Sequence, residues 1–152
     1  MAAIRRILHA TDFSRASRAA FAKAVEMAKA NRAELLLLHV LAPLTPIVAA
    51  GEGYMPPDTY EKIEASTRAA AQKQLDALVA AARKSRVRAT GLLAEGSPAE
   101  QIVRVAKSKR ADLIVLGTHG RTGLARFLVG SVASRVVSMA PLPVLTVRGS
   151  AR

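Results

Sequence analysis

The chain has no cysteine among its 152 residues. This absence excludes a disulfide framework, thiolate zinc sites, iron–sulfur clusters and cysteine nucleophiles. No apolar run reaches the roughly 18 residues of a membrane span. The opening sequence MAAIRRILHATDFS has too short an apolar stretch for the core of a signal peptide. We therefore expect a cytoplasmic protein with no membrane segment.

Aromatic residues make up only 3% of the chain, although 51% of its residues are hydrophobic. The core must then be built from Leu, Ile, Val and Ala side chains packed in layers. The length fits one domain on the usual prior of roughly 100–200 residues per domain. We predict a single folded domain over residues 1–152.

Acidic residues are scarce, since 11 Asp and Glu stand against 23 Lys and Arg, which gives a formal net charge of +12. The imbalance is concentrated in residues 101–152, where nine basic residues accompany one carboxylate. Such an excess attracts polyanions, among them nucleoside triphosphates and nucleic acids. The alternative is that these side chains are solvated charges on helix faces, with no specific partner.

Predicted strands alternate with predicted helices along the chain. Near-continuous apolar runs predict strands buried on both faces, over residues 4–11, 34–40, 87–94, 113–118 and 144–147. Apolar residues spaced three and four apart predict amphipathic helices, over residues 16–28, 58–85, 98–106 and 131–139. The stretch 41–57 contains four prolines and two glycines. We predict that it is a flexible loop.

This (βα)₄β pattern predicts an α/β fold, a single-domain, doubly wound (Rossmann-like) open parallel sheet of five strands with helices on both faces. In such sheets, ligands bind at the carboxyl ends of the strands, where the strand order reverses. If the first and fourth strands flank that point, we expect site residues at the ends of these two strands. Asp12 follows the first predicted strand, and Gly117 lies at the end of the fourth.

Glycines punctuate the segment that follows the fourth predicted strand. Two residues separate Gly117 from Gly120, and nine residues separate Gly120 from Gly130, which directly precedes Ser131. Glycine lets backbone amides approach a phosphate with no Cβ in between. Ser131 opens the last predicted helix, and helix N-termini favour anions. The segment therefore predicts a phosphate-binding loop, with simple turns as the alternative.

This glycine pattern, G-x₂-G-x₉-G-S, resembles the signature of the ATP-binding branch of the universal stress protein family. Other blocks are similar to that family over nearly the whole chain: residues 7–14 (ILHATDFS), 37–40 (LLHV), 96–98 (GSP) and 143–147 (PVLTV). The resemblance implies the strand order 3-2-1-4-5. It also implies a dimer. Because Val144–Val147 is short, apolar and predicted at a sheet edge, we expect a homodimer formed through this last strand.

The resemblance further implies which residues hold an adenine nucleotide. It assigns the adenine and ribose end to Ala10, Thr11, Asp12 and Val40. It assigns the ribose and phosphates to Gly117, Gly120, Arg121, Gly130, Ser131 and Val132. Ala10 departs from the family pattern, because relatives often have proline at this position.

The chemistry of three of these side chains suits such roles. An ionised Asp12 only accepts hydrogen bonds, so ribose hydroxyls or the adenine amino group are plausible partners, and capping of the first helix by Asp12 or Ser14 is the alternative. Arg121 offers a planar fork to phosphate oxygens. Ser131 adds a hydroxyl beside the helix amides.

The three histidines differ in their setting. His9 and His39 lie within or at the end of apolar strands, which predicts core or rim positions. His119 lies inside the glycine segment and is a candidate phosphate contact. No carboxylate stands beside it in sequence to orient it as a general base.

Hydrolysis of the nucleotide is not favoured by the sequence. The pattern GxxxxGK[ST] of Walker-type sites does not occur. Asp112, the one carboxylate after residue 100, is predicted at the opposite edge of the sheet from the site. Any Mg²⁺ would be held mainly by phosphates, with Ser131, Thr118 or Asp12 as additional ligands.

These observations favour a protein that binds ATP, ADP or AMP with little or no hydrolysis, and the family resemblance implies a regulatory role in the stress response. The first alternative is a slow ATPase, or a nucleotide phosphohydrolase or phosphotransferase. The second is a basic protein that binds nucleic acid. Because the chain has no aromatic stacking series and no helix-turn-helix or RNA-binding signature, specific nucleic-acid binding is not expected.

Overall fold

The computed structural model describes residues 2–43, 55–118 and 130–149. Five strands and four helices alternate along these residues. The strands are β1 (Arg6–Ala10), β2 (Glu34–Leu41), β3 (Ala89–Glu95), β4 (Leu113–Gly117) and β5 (Val144–Val147). The helices are α1 (Arg15–Asn31), α2 (Pro57–Lys84), α3 (Pro98–Ser108) and α4 (Ser131–Met139). The predicted elements are all present, and their ends differ from the prediction by at most three residues.

The strands form one parallel sheet in the order β3-β2-β1-β4-β5, which confirms the predicted fold class and strand order. The chain moves outward from β1 to β3 and then crosses back to β4. Neighbouring β1 and β4 therefore flank the point where the order reverses. His9 of β1 pairs with Leu37 of β2 and Val115 of β4 in this register.

The core consists of two apolar layers, one on each face of the sheet. On the first face, alanines of α1 and the end of α2 pack against β1, β2 and β4. On the second face, α3 and α4 cover the alternate side chains of the same strands. Alanine at Ala20, Ala24 and Ala28 lets α1 lie close to the sheet, as the periodicity of the sequence predicts.

The start of α1 is fixed by two polar side chains. The Ser14 hydroxyl accepts a hydrogen bond from Ser17 N at 3.2 Å and is the N-cap of the helix. The Asp12 carboxylate accepts from Ser14 N at 2.8 Å, one step earlier. Both residues named as cap candidates therefore shape this turn, but only Ser14 caps α1.

The first half of α2 is more exposed than the sequence predicts. Leu75, Val79 and Ala82 are buried as expected, whereas Ile63 is 38% exposed and Ala70 is exposed. A helix of 28 residues is roughly 42 Å long, and the seven-residue strand β3 is only about 23 Å long. The helix therefore extends beyond the sheet, and its early apolar positions have no layer to cover them.

The start of α3 agrees with the sequence only in part. The sequence Ser97-Pro98-Ala99-Glu100 has the pattern of a capping box with proline at the first helical position. Ser97 is indeed the N-cap and Pro98 the first helical residue, but the Ser97 side chain makes no cap hydrogen bond, so the box is not formed. The Glu100 carboxylate lies 3.6 Å from the guanidinium of Arg135 on α4 instead. This exposed ion pair links α3 to α4.

Helices α1, α2 and α3 end in the same way. After each one, the chain turns through an arginine in the left-handed region, with φ of 53° at Arg32, 65° at Arg86 and 54° at Arg110. The next residue donates its N–H to a carbonyl five residues back, as in a Schellman motif. These bonds run from Ala33 to Ala28, from Val87 to Ala82 and from Ala111 to Ala106. Glycine is the usual residue at this turn position, because a side chain there costs about 1 kcal/mol or more.

Two other expectations concern the loop 41–57 and membrane-spanning helices. The predicted flexible loop 41–57 lies mostly outside the described residues, and its two ends belong to β2 and α2. In the described part of the chain, none of the helices combines the length and apolar character needed to cross a membrane.

Candidate functional site

A cavity of about 300 Å³ opens at the carboxyl ends of β1 and β4, where the strand order reverses. Its walls come from the ends of these strands and β2 and from the first turns of α1, α3 and α4. The lining residues are Ala10, Thr11, Asp12, Ser17, His39, Val40, Pro98, Ile102, Leu116, Gly117, Gly130, Ser131, Val132 and Ala133. The volume lies at the lower end of the range for small-molecule sites.

Eight of the eleven predicted site residues line this one cavity. They are Ala10, Thr11, Asp12, Val40, Gly117, Gly130, Ser131 and Val132. His119, Gly120 and Arg121 lie outside the described residues. The structure thus brings together residues from four separate stretches of sequence, and their binding roles stay predictions.

The beginning of α4 forms one wall of the cavity. Gly130 is its N-cap and has no side chain with which to accept from the first amides of the helix. The N–H of Gly130 donates to the carbonyl of Thr118, which fastens the start of α4 to the end of β4. The positive end of the α4 dipole therefore adjoins the cavity.

Gly117 ends β4 where the strand passes the first turn of α1. A Cβ at this position would lie 3.4 Å from the carbonyl oxygen of Ala16 and 3.5 Å from the Cα of Ser17. A Cβ at Gly117 would therefore make ordinary van der Waals contact with α1 beside the cavity. The role of Gly117 as a ligand contact stays a prediction.

A chain of hydroxyl groups supports the floor of the site. The Ser17 hydroxyl donates to the carbonyl of Ser14 at 2.8 Å. Because that bond uses its only proton, the Thr11 hydroxyl must donate to Ser17 Oγ across their 3.1 Å contact. The Thr11 oxygen also accepts from Phe13 N at 3.0 Å. These bonds fix the backbone after β1, and Thr11 is buried as part of them.

His39 connects the end of β2 to the same backbone. Its Nδ1 lies 2.8 Å from the carbonyl oxygen of Thr11, and a carbonyl can only accept, so Nδ1 carries the proton. The ring lies against Phe13, with centroids 4.3 Å apart and an angle of 31° between the planes. Phe13 itself has a φ of 63°, which turns the chain sharply beside Asp12. His39 is thus a half-buried rim residue, as predicted, and it also lines the cavity.

The sequence did not identify six lining residues as site residues. They are Ser17, His39, Pro98, Ile102, Leu116 and Ala133. Leu116 and Ala133 are adjacent in sequence to the predicted site residues Gly117 and Val132, so the sequence could have indicated them as site residues. In the sequence, Pro98 carries only a helix-start signal and Ile102 only the apolar spacing of the third predicted helix. Their contribution depends on where α3 lies across the sheet.

His9 lies behind the site, fully buried beneath α1. Its Nδ1 lies 2.9 Å from the carbonyl oxygen of Val115 and must therefore donate to it. Burial lowers the pKa of His9 from 6.5 to about 4, against the smaller opposing effects of the Val115 hydrogen bond and the Asp12 charge. His9 is therefore a neutral core residue at pH 7, in agreement with its predicted place.

Solved structures share this architecture. MJ0577 of Methanocaldococcus jannaschii superposes with a TM-score of 0.84 over 99% of this chain and 100% of its own, at 24% identity. A universal stress protein in complex with cAMP has a TM-score of 0.67 at 24% identity, over 98% and 100% of the two chains. One from Archaeoglobus fulgidus in complex with dAMP has a TM-score of 0.63 at 24% identity, over 95% and 98%. At this identity these likenesses show the fold alone.

Sequence comparisons extend the match to curated proteins. Universal stress protein MJ0531 of Methanocaldococcus jannaschii is 37% identical over 146 residues, which cover 95% of this chain and 82% of the relative. Universal stress protein YxiE of Bacillus subtilis is 35% identical over 145 residues, with 94% and 98% coverage. The model of the universal stress protein family matches residues 3–148. With the sheet order and the placement of the cavity, these matches show that the chain belongs to the universal stress protein family.

Proposed function

We propose that this universal stress protein binds an adenine nucleotide, with ATP as the expected ligand, in the cavity between β1, β4 and α4. One observation carries the proposal: the cavity at the strand-order reversal is bounded by an apolar wall at one end and by an open helix N-terminus at the other. An apolar wall suits a base, and a helix N-terminus suits phosphate.

The phosphates are assigned to the α4 side of the cavity. Gly130 leaves the first amides of α4 without a side-chain cap, and Ser131 adds a hydroxyl at the same place. These groups match phosphate oxygens in charge and in hydrogen-bonding capacity. The proposal extends to His119, Gly120 and Arg121, which precede Gly130 in the same segment.

The base and ribose are assigned to the ends of β1 and β2. Val40 and Ile102 give this part of the cavity apolar walls from two different elements. Asp12 contributes a carboxylate, a group that can accept several hydrogen bonds at once and that accepts one from Ser14 N. Ribose hydroxyls or the adenine amino group are the donors that such a carboxylate would take.

The relatives support adenine as the base. Two of the solved universal stress proteins described above hold cAMP and dAMP, which share adenine and a single phosphate. Both have the fold described above. We extend adenine recognition to this chain and propose a nucleoside triphosphate because of its extended glycine segment.

Binding with little or no hydrolysis is part of the proposal. Asp12 is the one carboxylate among the described lining residues, and its Oδ1 already accepts from Ser14 N. Asp112 accepts from Arg5 N and Arg6 N at the opposite edge of the sheet. Mg²⁺ would then enter with the nucleotide, held mainly by its phosphates, with Ser131 or Asp12 as a protein ligand.

The regulatory role is the remaining part of the proposal. Nucleotide binding would bias the structure or the association of two copies during stress. The strand β5 is at the sheet edge, and all four of its residues are half-buried. Pairing with β5 of a second copy would cover this edge, so a homodimer through Val144–Val147 is proposed. A cytoplasmic location, where ATP is available, completes the proposal.

Calorimetric titration with ATP, ADP, AMP and cAMP, each with and without Mg²⁺, tests the proposal. A Gly130→Val variant places a branched side chain where the phosphates are expected. The φ of −49° at Gly130 is open to any residue, so the fold should survive the change. Ser134→Val is the matched control, because Ser134 is exposed on the first turn of α4 outside the cavity lining.

Micromolar binding that is lost in Gly130→Val and kept in Ser134→Val supports the site. Phosphate release is followed in the same samples. Release of several phosphates per protein molecule would show catalytic turnover and would favour the alternative function, a slow ATPase. Absence of adenine-nucleotide binding by the unmodified protein would refute the proposed function.

A further inference from the structure

The three arginine turns after α1, α2 and α3 have a feature that packing does not require. Arg32, Arg86 and Arg110 each occupy a left-handed position where glycine would be favoured. All three side chains are exposed. Among the residues that the structure describes, none of the three side chains makes a hydrogen bond or an ion pair. An arginine in a conformation that favours glycine thus recurs three times, each time with no side-chain partner among the described residues.

The sheet topology places these turns along one edge. Each turn leads into a strand of the parallel sheet, so all three lie at the amino ends of the strands. Backbone hydrogen bonds hold the neighbouring segments side by side. They run from Leu35 N to Arg88 O at 2.8 Å, from Glu34 N to Arg5 O at 2.9 Å and from Asp112 N to Arg6 O at 2.8 Å.

We call this surface the basic edge and define it as residues 5–6, 32–34, 83–90 and 107–112. It holds ten Lys and Arg and two carboxylates, which leaves a formal excess of eight positive charges. Glu34 is paired with Arg6 at 3.0 Å. Asp112 accepts from the two backbone amides of residues 5–6. Both carboxylates of the basic edge are therefore engaged in interactions within the edge itself.

Helix dipoles account for only a small part of this charge. Basic residues near a helix C-terminus offset a partial charge of about −0.5. Three helices end at this edge, which corresponds to about −1.5 in total. An excess of eight is several times larger, and like charges set side by side repel one another. The basic edge is therefore electrostatically unfavourable without an external anion.

We propose that the basic edge binds the phosphate backbone of duplex nucleic acid without regard to sequence. Seven of its ten basic residues are arginines, whose planar fork suits phosphate oxygens. The four defining segments contain no aromatic residue for stacking on unpaired bases, which favours a duplex over a single strand. The arginine turns also present no large exposed apolar side chain for insertion into lipid.

The dimensions of the basic edge fit such a partner. It crosses four neighbouring strands, β3, β2, β1 and β4, and three strand spacings measure about 14 Å. Duplex DNA carries one charge per roughly 1.7 Å of its axis, or about eight charges over this length. The positive excess of the edge and the negative charge of the facing duplex are of similar size.

The surface is also independent of the nucleotide cavity. The cavity lies at the carboxyl ends of the strands and the basic edge at their amino ends. Duplex binding should therefore persist with saturating ATP and in the Gly130→Val variant. Failure of nucleotide binding and failure of duplex binding are separate results.

Fluorescence anisotropy with a labelled duplex of about 30 base pairs, in salt from about 50 to about 200 mM, tests the proposal. Two duplexes of unrelated sequence should bind equally well. The decisive variant combines Arg32→Gly, Arg86→Gly and Arg110→Gly. Because glycine is favoured at these turns, the variant should keep or raise its melting temperature. Its affinity should fall at least about tenfold, and the slope of log K against log salt should fall by about three.

A second triple variant, Arg18→Ala with Arg104→Ala and Arg135→Ala, removes the same net charge from exposed faces of α1, α3 and α4. It should keep most of the affinity. An equal loss in both triples would overturn the proposal in favour of diffuse charge. No duplex binding at about 50 mM salt, or binding to phosphatidylserine vesicles in its place, would also overturn it.

Discussion

His39 and Thr11 are joined by a hydrogen bond of 2.8 Å from the imidazole Nδ1 to the backbone carbonyl oxygen. This bond fixes the end of β2 to the segment that follows β1, and both residues line the cavity. The contact between the His39 and Phe13 rings adds a second link at the same place. The geometry of the proposed base end thus depends on a side chain that the sequence placed only at the rim.

Replacement of His39 should therefore weaken both the fold and the site. His39→Leu leaves the Thr11 carbonyl without its donor, which should lower the free energy of unfolding by about 1–2 kcal/mol. His39→Asn retains an N–H near the Nδ1 position and should lose less. Urea denaturation measures the stability, and ATP titration should show weaker binding in the same order. Equal stability of the Leu and Asn variants would contradict a role for this bond.

Stability should fall in mild acid because of His9. Its pKa is about 4 in the folded protein and 6.5 in the reference state, so the unfolded chain takes up the proton first as pH falls. The stabilisation is complete above about pH 6.5 and is lost between about pH 6.5 and pH 4. It amounts to about 3 kcal/mol. Urea denaturation at a series of pH values measures the decline.

The control for this effect is His9→Asn. Asn keeps a donor for the Val115 carbonyl but does not titrate. The variant should be less stable at pH 7 and should lose less stability between pH 7 and about pH 4.5. If the unmodified protein and the variant lose the same amount, carboxylates rather than His9 cause the decline.

Two glycines should respond differently to alanine. Gly96 has a φ of 136°, a conformation that side chains rarely adopt, and a Cβ there would lie 3.0 Å from Gln101 Nε2. Gly96→Ala should therefore lower the free energy of unfolding by about 1–3 kcal/mol. Gly117→Ala should lower it by less than about 1 kcal/mol, because the new Cβ meets Ala16 O at 3.4 Å with no backbone strain. Thermal or urea unfolding of the pair checks the order, and a reversed order would refute this account.

Replacement of the arginine in a single left-handed turn by glycine should make the protein more stable. Arg110→Gly should raise the free energy of unfolding by about 0.5–1 kcal/mol, since the left-handed φ of 54° then carries no side-chain penalty. Arg104→Gly is the matched control inside α3, where glycine should lower stability by a similar amount. Urea denaturation compares the two. Destabilisation by Arg110→Gly would mean that the Arg110 side chain supports the fold.

Local signals in the sequence were sufficient for most of the architecture. Buried strands such as β2 gave continuous apolar runs, and the caps and prolines at Ser14 and Pro98 marked helix starts. These signals come from residues that lie within a few positions of one another in sequence, so they can be recognised without knowledge of the tertiary structure. The glycine spacing that ends in Gly130 and Ser131 likewise indicated one wall of the site.

Local signals were insufficient where distant segments meet. The buried length of α2 depends on the shorter strand beneath it, which is why Ile63 is exposed despite its apolar spacing. The placement of Ile102 in the cavity depends on how α3 crosses the sheet.

The sequence by itself determined the alternation of strands and helices, the family and the position of the glycine segment. Each of these depends on the spacing of residues that are close together in sequence. Only the tertiary structure decided that His39 and Ile102 line the same cavity and that Arg32, Arg86 and Arg110 share one edge. Those arginines lie more than twenty residues apart in sequence. Parallel pairing in the order β3-β2-β1-β4-β5 brings their turns together, since every strand begins at the same end of the sheet.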